Sequence, residues 1–528
     1  MRAPRTLTIG ARSSALSRVQ ARLVGEALAA HDPRLVIRYA FAESLGDRNL
    51  SADLPALLRA GGFTSELSTD LDSRHIDLAV HSWKDLPFTE SRTTHIAATL
   101  ERADPRDLLL VRRDRFAPAD PDQRGSRREL RVLSCSARRA TNLREFLPWA
   151  LPGGIQEVRF RPVRGDILRR LQGLLAGDAD ALVVAKAAID RLLAAGAGLG
   201  ADHDSCANSR FAAAGAQVRA ALDACRIIVL PLAMNPAAPG QGALAIEVRR
   251  DRGDLAEMLA AINHAPTYAR VLEERAQLAP TGDEDHPLGV SVVPIEGGPV
   301  RMDAEAVFAR GSLAGVRIEA ARLRDRSPAL PRPAHRGAVW TGERAGHLAL
   351  RRIALAIDRA RPGDAPLGFL VARADALPDG WTDTPEPIVW TAGLDTWRKL
   401  AARGVWVSGS DESLGETGAQ AARHLFPQVE CWVKLSHSAG YDTPHAARLA
   451  TYRLERVAPL EDIRKHTHFF WRSGSQFLEY FRANAQQLRH AWHGCGPGNT
   501  LAIIRAAIGP DRVRPFLSAG QFAAELGV

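Results

Sequence analysis

Lysine is nearly absent from this chain. Only Lys84, Lys186, Lys399, Lys434 and Lys465 occur, so almost all of the 69 basic residues are arginine. Cysteine is equally scarce. The five present (Cys135, Cys206, Cys225, Cys431 and Cys495) are odd in number and scattered, with no CxxC pair. That excludes a disulfide framework and a thiolate zinc site. No uninterrupted apolar run reaches the roughly 18 residues a membrane span needs. The opening MRAPRTLTIGARSSAL has no continuous apolar stretch and reads as mature protein, so a cytoplasmic setting is the default expectation. No basic arm with interleaved aromatics occurs, which weighs against nucleic acid, and no internal repeat is visible.

What is present suits a soluble globular protein. Of 528 residues, 46% are hydrophobic and 24% charged, with a net charge of +9. The length allows about three to five domains at roughly 100–200 residues each. Arginine carries a flat, permanently charged fork that matches carboxylate or phosphate. GC-rich codon usage explains an arginine bias without function. Two functional explanations remain, a polycarboxylate ligand and nucleic acid, and the even spread of the basic residues weakens the second.

The first 200 residues alternate strand and helix. Leu7–Gly10 is a short apolar strand, and Ser13–Ala30 places Leu16, Val19, Leu23, Val24, Ala27 and Leu28 at helical spacing. Strands are expected at Leu35–Phe41, Ile76–Val80, Leu130–Ser134, Glu157–Phe160 and Ala181–Val184. Helices are expected near Ser65–Ser73 and over Ser136–Phe146, Asp166–Ala176 and Ala187–Ala194. This rhythm predicts mixed or parallel sheets with helices on their faces. Three looser stretches interrupt it: Arg113–Arg128, Gly196–Arg210 and the proline-rich Arg324–Gly337, the last being the clearest domain boundary.

Four strand–helix junctions share one design. IGARSS holds Arg12 and Ser14; AVHSWKDLP holds Ser82, Lys84 and Asp85; LSCSARR holds Arg138 and Arg139; and Arg164–Gly165–Asp166 precedes Arg170. Ligands in open α/β sheets bind outside the carboxyl ends of strands, and helix N-termini favour anions. A Lys beside an Asp is by itself equally an ordinary surface ion pair, and one of two adjacent arginines is expected to face solvent. Together the four junctions suggest a cleft for a polyanion. A fifth string, NPAAPGQGALAIE over Asn235–Glu247, reads as an interdomain hinge leading into a strand.

The succession IGARSSALSRVQ, ESLGD, DLAVHSWKDLP, RADPRD, SCSARRATNL, DALVVAKAAIDRL, PAAPGQGALAIEVR and ARVLEERA resembles hydroxymethylbilane synthase (porphobilinogen deaminase) over residues 5–320. The resemblance implies an α/β fold: two periplasmic-binding-protein-like domains (1–110 with 205–240, and 111–204) and a small α+β third domain (241–323). A linker (324–337) and a further α/β region (338–528) follow. It also implies a monomeric transferase of porphyrin biosynthesis that condenses four porphobilinogens head to tail, releasing ammonia to give a linear tetrapyrrole. Nucleic acid, membrane and metal have no part in it. Asp85 matches the catalytic aspartate. Arg12, Ser14, Gln20, Ser82, Lys84, Arg138, Arg139, Arg164 and Arg170 match contacts to substrate and cofactor.

Two departures stand out. The family carries a cysteine that anchors a dipyrromethane primer, and here Glu284, within TGDEDHPLG, occupies that position. A carboxylate cannot form the thioether. The family's GGKGLF loop is replaced by LRAGGF at Leu58–Phe63. A primer held without the thioether, a changed substrate, and a non-catalytic tetrapyrrole-binding or scaffold protein on the same fold all remain open. Residues 338–528 resemble uroporphyrinogen-III synthase more weakly, through ATYRL, HFFWRSGSQF and CGPGNTLAIIRA. Tyr452, Ser473, Ser475 and Thr500 are the matching candidate contacts. That family closes the linear tetrapyrrole into a ring.

Overall fold

The computed structural model describes residues 5–42, 65–89, 91–115, 128–198, 205–279, 287–295, 304–313, 315–325, 327–342, 350–355, 366–382, 386–443 and 445–528. The Leu58–Phe63 string and Glu284 lie outside the described residues. Two compact units emerge. One comprises Met1–Pro148, Ile155–Val292 and Ala309–Glu319; the other comprises Trp149–Gly154, Val293–Phe308 and Ala320–Val528.

The first unit contains two five-stranded sheets built to one plan. Strands β1 (Arg5–Arg12), β2 (Leu35–Ala42), β3 (Leu78–Ser82), β4 (Thr94–Ala98) and β10 (Leu244–Arg249) form a sheet of order β2-β1-β3-β10-β4. β1 runs parallel to β2 and β3, and β10 is antiparallel to β3 and β4. Alternation in β1 buries Leu7, Ile9 and Ala11 against Ala21, Val24 and Leu28 of helix α1 (Ala15–His31). Ser14 starts that helix, its hydroxyl accepting the Ser17 N–H at 3.3 Å. A short helix α2 (Ser65–Asp72) contributes Leu67 and Leu71 to a second cluster beside Ile76 and Ala79.

The second sheet has the order β7-β6-β8-β5-β9, from β5 (Asp107–Arg112), β6 (Arg128–Leu133), β7 (Ile155–Arg161), β8 (Ala181–Ala185) and β9 (Cys225–Val229). Helices α3 (Ala137–Ala150), α4 (Ile167–Ala176), α5 (Lys186–Gly196) and α6 (Ser205–Asp223) connect its strands. Leu108 to Val111 are fully buried, as an apolar run in a strand covered on both faces requires.

This pairing differs from the sequence-based division at two places. Residues 205–229, expected in the first domain, form α6 and β9 of the second sheet. Residues 244–249, expected in the third domain, form β10 of the first sheet. The chain passes between the sheets ahead of β5 and again between β9 and β10, and only the second passage has a compositional mark, the PAAPGQG string. There Gly242 has φ +88, and a Cβ on it would lie 2.4 Å from the Ala103 carbonyl oxygen. Helices α7 (Ala256–Ile262) and α8 (Ala265–Ala276) follow, then a three-stranded sheet of β11 (Gly289–Pro294), β12 (Ala304–Leu313) and β13 (Val316–Asp325). Residues 327–335 carry neither helix nor strand.

In the second unit, β14 (Val339–Trp340), β21 (His468–Trp471), β22 (Trp492–Cys495) and β23 (Val513–Pro515) form a parallel sheet. A six-stranded sheet, drawn from residues between β14 and β21, has the order β15-β20-β19-β16-β17-β18. It comprises β15 (Leu350–Ala354), β16 (Leu367–Val371), β17 (Ile388–Thr391), β18 (Gly409–Ser410), β19 (Cys431–His437) and β20 (Ala447–Arg456). The parallel sheet packs an aromatic core of Trp340, Phe469, Trp471, Phe477 and Tyr480. Within it the Trp471 Nε1–H donates to His493 Nδ1 at 2.8 Å. Burial lowers the His493 pKa to about 4, so its ring is neutral and able to accept. No helix among the described residues is long and apolar enough to cross a membrane.

Candidate functional site

β1 and β3 of the first sheet end beside one another, and the turns after them open into a cavity of about 220 Å³. Arg12 ends β1 and Ser14 follows it, while Ser82 ends β3 and Lys84 and Asp85 follow in a 3₁₀ turn, Trp83–Asp85. Gln20 of α1 donates from Nε2 to Ser82 Oγ at 2.8 Å and fixes the two turns together. The opposite wall comes from the second sheet: Arg139 of α3, Gly165, Asp166 and Arg170 at the start of α4, and Arg191 of α5. Gly165 has φ +97, a left-handed bend that lets its carbonyl accept from Arg170 Nε at 2.8 Å.

Eight of the ten predicted residues therefore line one cavity: Arg12, Ser14, Gln20, Ser82, Lys84, Asp85, Arg139 and Arg170. Two do not. Arg164 stands half-buried in the loop after β7, outside the lining. Arg138 is 4% exposed and is turned away. Its guanidinium donates to Asp107 Oδ2 at 3.0 Å, to the Pro236 carbonyl at 2.7 Å and to Asn235 Oδ1 at 3.3 Å. Neither arginine of the adjacent pair faces solvent, because Asp107 holds both. Arg139 donates to Asp107 Oδ1 at 2.6 Å from Nη2 and to Oδ2 at 3.0 Å from Nε.

Four residues of this neighbourhood were not among the sequence-based candidates: Asp107, Asn235, Gln241 and Arg191. Asp107 is fully buried, and Asn235 and Gln241 also donate to it, each at 2.9 Å. Burial works to raise the Asp107 pKa, but Arg139, Arg138 and Lys84 together hold it well below the ordinary carboxylate range. Gln241 reaches further, its Oε1 accepting from Lys84 Nζ at 3.2 Å. Arg191 lines the cavity and donates from Nη2 to the Gly242 carbonyl at 2.7 Å. A lone aspartate heading the apolar run DLLLV was the available signal for Asp107. Gln241 was hidden inside a string read as a hinge.

Other recognisable strings prove to be scaffold. In RADPRD, Arg102 forms a two-pronged pair with the fully buried Glu274 of α8, at 2.7 and 3.0 Å. Glu274 also accepts the Gly240 and Val292 N–H groups, tying hinge to β11. Asp104 pairs with Arg106 at 2.6 Å and approaches the buried Lys186 at 3.5 Å. Cys135 lies outside the cavity, its sulfur donating to the Val163 carbonyl at 2.7 Å and accepting the Val163 N–H at 3.1 Å.

Among the described residues, five cationic side chains line the cavity (Arg12, Lys84, Arg139, Arg170 and Arg191) against two carboxylates, Asp85 and Asp166. Desolvation lowers the Lys84 pKa to about 8, Arg139 and Arg138 add to that, and Asp85 and Asp107 oppose it. Desolvation also lowers Arg170, with Arg139 reinforcing it. Buried cations crowded together gain most from an anionic ligand. Such a donor set fits a group carrying several carboxylates.

In the second unit, Tyr452 is buried with its ring 5.8 Å from that of His437. The Ser475 hydroxyl lies 3.3 Å from His437 Nε2. Ser473 is occupied as the cap of α9 (Gly474–His490), accepting the Gln476 N–H at 3.2 Å. Thr500 sits in the first turn of α10 (Asn499–Ile508).

The family model described as "Porphobilinogen deaminase, dipyromethane cofactor binding domain" matches residues 7–257. A porphobilinogen deaminase of Acidothermus cellulolyticus is 35% identical over 52% of this chain and 71% of its own length. One from Sphingopyxis alaskensis is 34% identical over 57% of this chain and 83% of its own. One from Mycobacterium leprae is 36% identical over 52% and 72% respectively. Among solved structures, the BenM effector-binding domain with benzoate is similar at 12% identity and a TM-score of 0.26, over 51% of this chain and 95% of that one.

Proposed function

This chain belongs to the porphobilinogen deaminase family, and we propose that the cavity between its first two sheets joins porphobilinogen units head to tail through Asp85. The observation that carries the reading is the placement of Asp85 among the five cations, on a turn at the carboxyl end of β3. Each porphobilinogen bears an acetate and a propionate, so the growing product is a polycarboxylate. Charge-assisted hydrogen bonds contribute roughly 1.5–3 kcal/mol each, enough for a few arginines to retain such a chain.

Loss of ammonia from porphobilinogen leaves a methylene carbon bearing positive charge delocalised over its pyrrole. The Asp85 carboxylate stabilises that charge and accepts the proton released when the next pyrrole carbon bonds. Lys84, Arg139 and Arg170 would hold a dipyrromethane primer by its carboxylates. When bound, that group supplies the pyrrole carbon to which the first unit is added. With Glu284 at the anchor position, retention rests on those ionic contacts.

For residues 338–528 we propose the following step, closure of the linear tetrapyrrole as in uroporphyrinogen-III synthase. Support comes from the two α/β sheets of the second unit and from the clustering of Tyr452, His437 and Ser475. One assay tests both readings. Protein incubated with porphobilinogen alone, then oxidised, is expected to yield uroporphyrin of isomer III. Asp85→Asn is expected to lower total uroporphyrin by about 100-fold or more. No product from the wild type would leave a binding or scaffold protein, and isomer I alone would refute the ring-closing proposal.

A further inference from the structure

We propose that Asp107 is a positioning residue for this cavity: one buried carboxylate aims Arg139 at the ligand and, by fixing the Gln241 amide, turns its oxygen onto the Lys84 ammonium. The proposal deepens the polycarboxylate reading of the cavity and rests on it. The geometry is a fully enclosed carboxylate receiving five hydrogen bonds. Arg139 supplies two (2.6 and 3.0 Å), Arg138 one (3.0 Å), and Asn235 and Gln241 one each (2.9 Å). These donors come from α3 and from the segment linking β9 to β10. Arg138 is used up by that segment, because its remaining bonds go to the Pro236 carbonyl and Asn235. Arg139 has its Nε and Nη2 on Asp107 and its Nη1 on the Val183 carbonyl at 3.3 Å, so it meets the cavity in one fixed orientation.

Gln241 completes the device. Its Nε2 donates to Asp107 Oδ1 at 2.9 Å and to the Pro105 carbonyl at 2.6 Å, which leaves Oε1 facing Lys84 Nζ at 3.2 Å. The amide is thereby locked with its acceptor end toward the ammonium. The charged groups facing Lys84 are Asp85 on its own turn, Asp107 at the head of β5, and Arg138 and Arg139 of α3. The two arginines disfavour the ammonium and the two aspartates favour it. Three cations thus surround one buried anion, and the unmatched positive charge is what a ligand carboxylate would neutralise. Without Asp107, Lys84 would shed its proton at lower pH and the cavity would lose a cation.

Five lysines make this measurable without turnover. Reductive ¹³C-methylation labels each amine, and Lys84→Arg identifies the Lys84 signal in a pH titration followed by NMR. In Asp107→Asn, the Lys84 titration is expected to move down by roughly one to two pH units, and Asp107→Glu is expected to return it toward the wild-type position. An unmoved midpoint in folded Asp107→Asn overturns the proposal. A merely structural Asp107 would change the unfolding temperature and leave that midpoint in place. Should Asp107→Asn fail to fold, Gln241→Met removes the Oε1 acceptor while leaving the Asp107–arginine pairs, and a smaller shift in the same direction is expected. An unmoved Lys84 there refutes the proposal equally. An inactive wild type with the expected titrations would refute the porphobilinogen reading and leave the role of Asp107 standing.

Discussion

Lys84 shows how a single side chain acquires its character from its surroundings. The group is desolvated, lies against Asp85 and the Gln241 amide, and has its pKa lowered from 10.5 to about 8. Since the folded value lies below the unfolded one, burying the ammonium destabilises the fold fully below pH 8. The penalty is relieved as pH climbs from about 8 toward 10.5. Ligand attraction has the opposite dependence, because the charge itself disappears over that interval. Porphobilinogen affinity, measured calorimetrically, is therefore expected to decline as pH rises through about 8, and to show no such decline in Lys84→Met. A slope retained by the variant would assign the effect to another group. At this scale the sequence was legible where residue type and strand end coincide: Arg12, Ser82, Lys84, Asp85 and Arg139 all reach the cavity. It was not legible for Arg138, since adjacency on a helix says nothing about which guanidinium a distant buried aspartate will capture.

At the scale of elements, periodicity located the β–α units of the first unit closely, as with α4 at Ile167–Ala176 against an expected helix over Asp166–Ala176. The apolar spacing that marks a helix is also what lets it cover a sheet, so pattern and packing agree. Partner choice was the part hidden from view. β9 and β10 are both short apolar strands, and nothing local tells which sheet each completes. That is decided by the hinge between them, and the hinge is held by Glu274. Its carboxylate pairs with Arg102 and accepts the N–H groups of Gly240 and Val292, entirely out of solvent. Glu274→Ala would strand a buried guanidinium and two backbone donors. A loss of about 3–5 kcal/mol in urea unfolding of the mutant is expected, far above the 1 kcal/mol or less typical of an exposed pair. A loss below about 1 kcal/mol would mean that the hinge does not depend on this bond network.

For the whole molecule, the composition pointed to several cores, which the two units contain, and to an excess of arginine, of which Arg12, Arg139, Arg170 and Arg191 line the cavity. The composition could not say that Arg102, Arg106, Arg138 and Arg252 serve internal pairs, so the arginine excess overstates the charge available to a ligand. On the proposed placement of Glu284 at the family's anchor position, no thioether tethers a primer there. The denatured protein is expected to weigh what its sequence predicts, 57.2 kDa, with any Ehrlich-reactive pigment recovered in the ultrafiltrate. A covalent adduct in the denatured mass spectrum would refute this.

The strand order of the first sheet carries a consequence for the chain as it leaves the ribosome. β10 is wedged between β3 and β4, yet it is translated after the entire second sheet. The second lobe is uninterrupted in sequence from β5 to β9 and can fold as soon as it emerges. The first lobe must wait, holding β3 and β4 apart without their shared neighbour until residue 249 has been made. The lobe begun first is therefore finished last, and its unpaired strand edges are the ones a nascent-chain chaperone would need to cover.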